Sequence, residues 1–406
     1  MFSLPDHSRS PPRRTGALAL ALAALAATPA AAQVSGAAAT CRPADFLPAP
    51  AAYKSVEQLP DGRVTFRLCA PEARDVKVVS TDLRDIIPMG FPSGPKGLPM
   101  MIDANGLWSV TTPKLVPADT YRFDFEVDGV TMPDPQGTRF SETRVGTNSI
   151  FEVTGPAGAF QAWRKGIPHG AVTTIRYWSS ALGIERRMHV YTPPGYMNGT
   201  KRYPVLYLVH GAGDSDDSWT SVGHADDILD NLIAAGKAKP MIVVMPFGHT
   251  PDRPGGNMLD DASFGADLFE DVIPYIDANF RTVATADARA MAGLSMGGAH
   301  TIRFGLTHPD TFHWIGIFSM GLGMQGPDEV ARYEAANHVA LTRDAHDLKL
   351  LYYAIGKDDF LYHVSAPTRA MFDKYAIRYV YHESDGGHSW INWRRYLADF
   401  APRLFR

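Results

Sequence analysis

Two hydrophobic patterns divide the chain. From about residue 55 to 154, apolar and polar positions alternate in short runs. Val64, Phe66 and Leu68 fall on one side of such a run and Thr65, Arg67 and Cys69 on the other, the period of a strand with one buried face. Similar runs at 76–79, 107–111, 121–127 and 148–153 predict further strands. Between them stand Asp61-Gly62, Asn105-Gly106 and Asp128-Gly129, pairs that tolerate the positive φ of a tight hairpin turn. About a hundred residues of this kind predict a small immunoglobulin-like β-sandwich.

From residue 168 the pattern changes. After alternating runs at 172–175 and 187–191, the apolar stretches become continuous at 205–209, 241–245, 289–292, 314–318, 348–355 and 377–381. Helix-compatible segments at 226–235, 267–279 and 299–306 separate them, and another at 394–405 closes the chain. Continuous apolar strands alternating with helices predict a parallel sheet covered on both faces. The expected fold class is therefore α/β, an α/β-hydrolase with a mostly parallel sheet at 168–406, preceded by the smaller sandwich at 55–154. A linker containing Gly, Pro and Ala, 155–167, joins them.

Residues 1–32 fit neither pattern. Arg13-Arg14 precede an apolar run from 17 to 27, which leads to Thr28-Pro29-Ala30-Ala31-Ala32. These are the basic, hydrophobic and cleavage regions of a signal peptide, cut after Ala32. The run is shorter than the roughly 20 residues that span a bilayer. Residues 33–54 read as a flexible leader, and the mature chain is expected to be secreted or periplasmic. Composition adds exclusions. With 45% hydrophobic and 20% charged residues, a net charge of −4 and no block of one sign, nothing points to nucleic acid or an acidic membrane. The two cysteines, Cys41 and Cys69, could pair in an oxidising compartment or stand as independent thiols. No H-E-x-x-H or Cys/His cluster is present, so neither a metal nor a cofactor is expected.

The candidate chemistry centres on Gly293-Leu294-Ser295-Met296-Gly297, which reads G-x-S-x-G between a predicted strand and a predicted helix. That turn exposes a serine at the end of an α/β sheet. A serine hydroxyl needs a neighbouring base, and the base needs a carboxylate to set its tautomer. In this architecture the order is Ser, then acid, then His. After Ser295, the strand at 348–355 runs into Gly356-Lys357-Asp358-Asp359, where either aspartate could serve and Asp359 is favoured. The strand at 377–381 leads to Gly386-Gly387-His388, which suits the base. The oxyanion needs preorganised donors. The Met296 N–H is one; Ala212, with Gly213 second, supplies another from the turn His210-Gly211-Ala212-Gly213 after the strand at 205–209. Trp219 and Trp390 stand near these motifs in sequence and could wall the acyl or sugar pocket, with core packing the alternative for Trp390.

Several segments resemble known families. The runs at 61–71, 105–110 and 121–129 are similar to the early-set (E-set) sandwiches related to glycogen-binding modules, which implies possible glycan contact through this domain. Trp108 and Tyr121 could stack on sugar or fill the core. The segments at 203–211, 227–234, 292–298 and 386–390 resemble the esterase D family, and within it carbohydrate esterase family one, the feruloyl and acetylxylan esterases. The resemblance covers nearly all of 168–406. It implies Ser295 as nucleophile, His388 as base and Asp359 as acid, acting on an ester-bearing plant polysaccharide or oligosaccharide. The Gly- and Pro-containing loop at 247–261 does not single out an aromatic-acid pocket. An acetylxylan esterase, a siderophore-ester hydrolase and a carbohydrate-binding protein with an inactive hydrolase domain are the rival expectations.

Overall fold

The computed structural model describes Cys41 and residues 53–90, 93–252, 256–259, 261–326 and 328–406. The expected signal peptide lies outside the described residues, as does the leader apart from Cys41, Tyr53 and Lys54. All the described residues belong to one compact unit.

The first part is a sandwich of two antiparallel sheets. Its strands are β1 (Val56–Gln58), β2 (Val64–Cys69), β3 (Val76–Val79), β4 (Leu98–Pro99), β5 (Met101–Ile102), β6 (Leu107–Thr111), β7 (Thr120–Val127), β8 (Val130–Met132), β9 (Phe140–Glu142) and β10 (Thr147–Glu152). One sheet runs β1-β2-β6-β5 and the other β4-β3-β7-β10-β9, with β8 paired to β7. The alternation in β2 turns Phe66 inward, where its ring lies 5.1 Å from Phe123 and 5.3 Å from Phe151 of the facing sheet. Trp108 and Tyr121 are core residues. Each is buried and hydrogen-bonds a carbonyl, Trp108 Nε1 to Ala70 and Tyr121 Oη to Pro117, at 2.8 Å. Cys41 and Cys69 form a disulfide that ties the segment before the sandwich to the end of β2.

The second part is an eight-stranded sheet. Its strands are β11 (Ala171–Ser179), β12 (Ile184–Thr192), β13 (Val205–Val209), β14 (Ile242–Pro246), β15 (Arg289–Leu294), β16 (Trp314–Phe318), β17 (Leu350–Gly356) and β18 (Val380–Ser384). Their order is β11-β12-β14-β13-β15-β16-β17-β18, antiparallel up to β14 and parallel from there. The helices are α1 (Ala225–Ala234), α2 (Ala262–Ala266), α3 (Ile273–Asn279), α4 (Met296–His300), α5 (Glu329–Asp347), α6 (Ser365–Lys374) and α7 (Trp390–Phe400). One apolar core lies under α2 to α6 and the other under α1 and α7. All five residues of β13, β14 and β16 are buried, as continuous apolar runs require.

Helices α2, α5 and α6 and the short strands β1, β4, β5, β8 and β9 have no counterpart in the sequence pattern, and other elements have different bounds. The segment 267–279 is a π-turn, Asp267–Val272, running into α3, and Pro274 falls at their junction. β18 starts at Val380, later than the apolar run. α7 starts at Trp390 because Ser389, in extended conformation, already provides the N-terminal boundary.

Candidate active site

β15 leads into Ser295, whose φ of 52° and ψ of −118° are unusual for a residue with a Cβ. Close packing enforces this turn. A Cβ on Gly293 would lie 2.3 Å from the Gly297 carbonyl oxygen, and one on Gly297 the same distance from the Val209 carbonyl oxygen. The Ser295 N–H donates to the Phe318 carbonyl at the end of β16 (2.9 Å), while its own carbonyl accepts from Ala299 in α4 (3.0 Å). From Ala290 to Ile302 every other residue is buried, and Ser295 alone retains access to solvent.

β17 leads into the candidate acid. Asp359 is buried, and both its oxygens stand 3.0 Å from His388 Nδ1. One of them also accepts the Leu361 N–H at 2.9 Å. Asp358 is exposed and meets the histidine loop only through its N–H, bonded to the Gly386 carbonyl at 3.0 Å. The His388 ring lies 4.5 Å from Phe360 and meets Trp393 edge-on at 5.0 Å. With Nδ1–H donating to the carboxylate, Nε2 is left as a proton acceptor. No hydrogen bond joins Ser295 Oγ to His388 among the described residues. They are linked through the end of β16: Phe318 holds Ser295, and Ser319 accepts the indole N–H of Trp393 at 3.0 Å, against which His388 packs.

The turn after β13 lies against the elbow. A Cβ on Gly211 would fall 2.6 Å from Leu294 Cδ1 and 3.5 Å from Ser295 Cβ. His210 clamps the turn. Its Nδ1–H donates to the Gly211 carbonyl and its Nε2 accepts the Gly248 N–H, both at 2.8 Å, and burial pushes its pKa down. The ring is therefore neutral and both nitrogens are used. Ala212 and Gly213 follow in the same turn. Met296 opens α4, where its N–H has no intrahelical acceptor.

The two tryptophans are in a different place from the expected pocket wall. Trp219 and Trp390 are buried, with their rings packed edge-to-face at 5.1 Å in the core beneath α1 and α7. Their large apolar area is satisfied there, which leaves no face for a substrate. The accessible walls are elsewhere. Met296, Arg144, Gly248 and Met258 border a cavity of about 110 Å³. It shares Arg144, His249, Thr250, Pro251 and Asp252 with a larger cleft of about 730 Å³ that extends to Phe247, Arg187 and Asp216.

The sequence pattern does not reveal Arg144 or Phe360, nor Asp214, which follows the turn after β13, or Arg122 of β7, whose guanidinium meets Asp214 at 2.7 Å. Phe360 and Asp214 directly follow residues that were singled out, so position could have flagged them. Arg144 and Arg122 lie in the sandwich and carry no local signal. Among the described residues no group of His, Cys, Asp and Glu is arranged to hold a metal, and no helix is long and apolar enough to cross a membrane.

The chain is similar to several known esterases. The endo-1,4-beta-xylanase/feruloyl esterase of Xylanibacter ruminicola is 33% identical over 374 residues, covering 89% of this chain and 48% of its own length. An esterase of Mycobacterium tuberculosis is 32% identical over 160 residues, 39% of this chain and 32% of its own. The chain thus spans about half the length, or less, of these curated relatives. Among solved structures, a ferulic acid esterase has a TM-score of 0.51 at 26% identity, covering 59% of this chain and 100% of its own. The enterochelin esterase of Shigella flexneri reaches 0.61 at 17% identity, over 86% of this chain and 95% of its own, a likeness of fold. The Esterase family model matches residues 179–404, more than half of the chain, which therefore belongs to the esterase family.

Proposed function

We propose that the chain is a serine carboxylic-ester hydrolase whose catalytic residues are Ser295, His388 and Asp359. The observation that carries this reading is the buried Asp359 carboxylate on His388 Nδ1, beside a serine elbow in a chain of the esterase family. Ser295 Oγ attacks the ester carbonyl and its proton passes to His388 Nε2, while Asp359 stabilises the imidazolium. The oxyanion is received by the N–H groups of Met296 and Ala212, with Gly213 the alternative to Ala212. His388 then protonates the departing alcohol, and a water activated by the same base releases the acid. The tight packing of Gly211 on Leu294 and Ser295 supports the assignment of that turn.

The proposed substrate is a hydroxycinnamoyl ester on plant cell-wall polysaccharide. The feruloyl-esterase relative at 33% identity supports it, as does the ferulic acid esterase structure at 26%. Initial rates on methyl ferulate, acetylated xylan and a catecholate siderophore ester test this. The ferulate should be hydrolysed with the highest kcat/KM, and a higher value on either of the others would move the substrate class. Ser295→Ala should remain folded and hydrolyse none of them; appreciable turnover by it would refute the nucleophile.

The same reading treats 55–154 and 168–406 as two domains and the chain as exported. The Cys41–Cys69 disulfide suits an oxidising compartment. Sugar stacking on Trp108 or Tyr121 forms no part of it, since both are buried.

A further inference from the structure

Strand β7 and the β9–β10 hairpin belong to the sandwich, yet residues of both reach the turn after β13. Arg122 of β7 is buried, and its guanidinium reaches in two directions. Nε and Nη2 meet Asp82 within the sandwich at 3.3 Å, and Nη1 meets Asp214 Oδ1 at 2.7 Å. Asp214 directly follows the His210-Gly211-Ala212-Gly213 turn. Its Oδ2 accepts the Gly211 N–H at 3.3 Å, and its own N–H returns to the Gly211 carbonyl at 3.1 Å. Oδ1 also accepts the indole N–H of Trp390 at 3.4 Å, from the first residue of α7, just past His388. Next to these contacts Thr143 pairs with Asp214 in a β-bridge, and the Arg144 N–H donates to the Gly213 carbonyl at 3.4 Å.

One carboxylate thus braces the turn internally and ties it to the helix behind the base. Its countercharge comes from the sandwich. A carboxylate buried here without that cation would be left uncompensated and would move toward water, which loosens its hold on Gly211. We infer that Arg122 and Asp214 are positioning residues, through which the sandwich sets the Ala212 N–H against Ser295. The inference rests on the reading of that turn as an oxyanion donor, and gives the sandwich a part in catalysis without any contact with substrate.

The test uses the full chain and a 4-nitrophenyl ester, with active sites counted by fluorophosphonate titration. Arg122→Met and Asp214→Asn should lower kcat per titrated site by about ten- to a hundredfold, short of the loss of a whole oxyanion donor. KM should stay within about threefold, because the contact is realised in the transition state. Arg122→Lys keeps the charge and should recover most of the turnover. A merely structural contact would reduce the number of titratable sites and leave turnover per site unchanged. Turnover per site within about twofold of wild type in folded Arg122→Met and Asp214→Asn would overturn the inference. If Arg122→Met yields no folded protein, Asp214→Asn decides by the same readout. Ser295→Ala separates the two claims. If it is inert while the Arg122 and Asp214 variants turn over normally, only the positioning role fails; if it turns over, the esterase reading itself fails.

Discussion

Replacing Asp359 with asparagine removes the charge that fixes the His388 tautomer and leaves an amide able to stabilise the wrong one. By analogy with other triads kcat should fall by about three to four orders of magnitude. Asp358 is exposed and touches the histidine loop only through its backbone, so Asp358→Asn should keep kcat within about twofold. Steady-state rates on one soluble ester check both, and the reverse ranking would transfer the role to Asp358. Ser295, Asp359 and His388 were legible as candidates because each stands shortly past an apolar strand, in a turn that contains glycine. Trp219 and Trp390 show the limit of that logic. Proximity in sequence to a reactive residue leaves open which side of the backbone a ring occupies, and here both rings face the core. Asp214 and Arg122 were illegible for another reason: their contact joins residues far apart in the chain, and no local pattern encodes it.

Helix α5 was hidden at the level of periodicity. Its buried residues are Glu329, Tyr333, Leu341 and Asp344, two of them acids, and its backbone departs from helical geometry at Asn337. An apolar stripe therefore never appears in the sequence. Glu329 is answered by Arg303 at 3.0 Å and by the N–H groups of Gly323 and Gln325. Asp344 has no hydrogen-bond partner for either oxygen among the described residues, and burial pushes its pKa up to about 8. The folded-state value thus lies above the unfolded one of roughly 3.9. Stability linked to this group is fully present below about pH 4 and is lost as the pH rises through about 8. Asp344→Asn removes the ionisation. Its Tm should exceed that of the parent by several degrees at pH 8.5 and by much less at pH 4.5, by calorimetry on both proteins. An equal difference at the two pH values would show that Asp344 does not titrate in this range.

The sandwich and the eight-stranded sheet share buried charge. Asp119, just before β7, accepts from Arg394 of α7 at 2.5 Å and from Arg395 at 2.9 Å, and both Asp119 and Arg394 are buried. Arg394 also donates to the carbonyls of Thr120 and Val222. Thr120 Oγ1 contacts His224 Nε2 at 2.9 Å, and Ile391 of α7 packs against the sandwich core. Breaking a buried pair by withdrawing one partner costs about 3 to 5 kcal/mol, because the remaining charge is left in an apolar setting. Unfolding the sandwich alone would do this at Arg394 and again at Asp214. The sheet that remained would carry two uncompensated charges beneath the helix that follows the base. Each part is then expected to depend on the other for its stability. The chain should melt in one transition, with calorimetric and van't Hoff enthalpies in agreement, although multi-domain chains commonly depart from two-state behaviour. Esterase activity should disappear over the same temperature interval, because the oxyanion turn and α7 both lose their anchor when the sandwich opens. Two resolved transitions, with activity surviving the first, would mean that the sheet holds its catalytic geometry unaided and that these ion pairs only dock the sandwich.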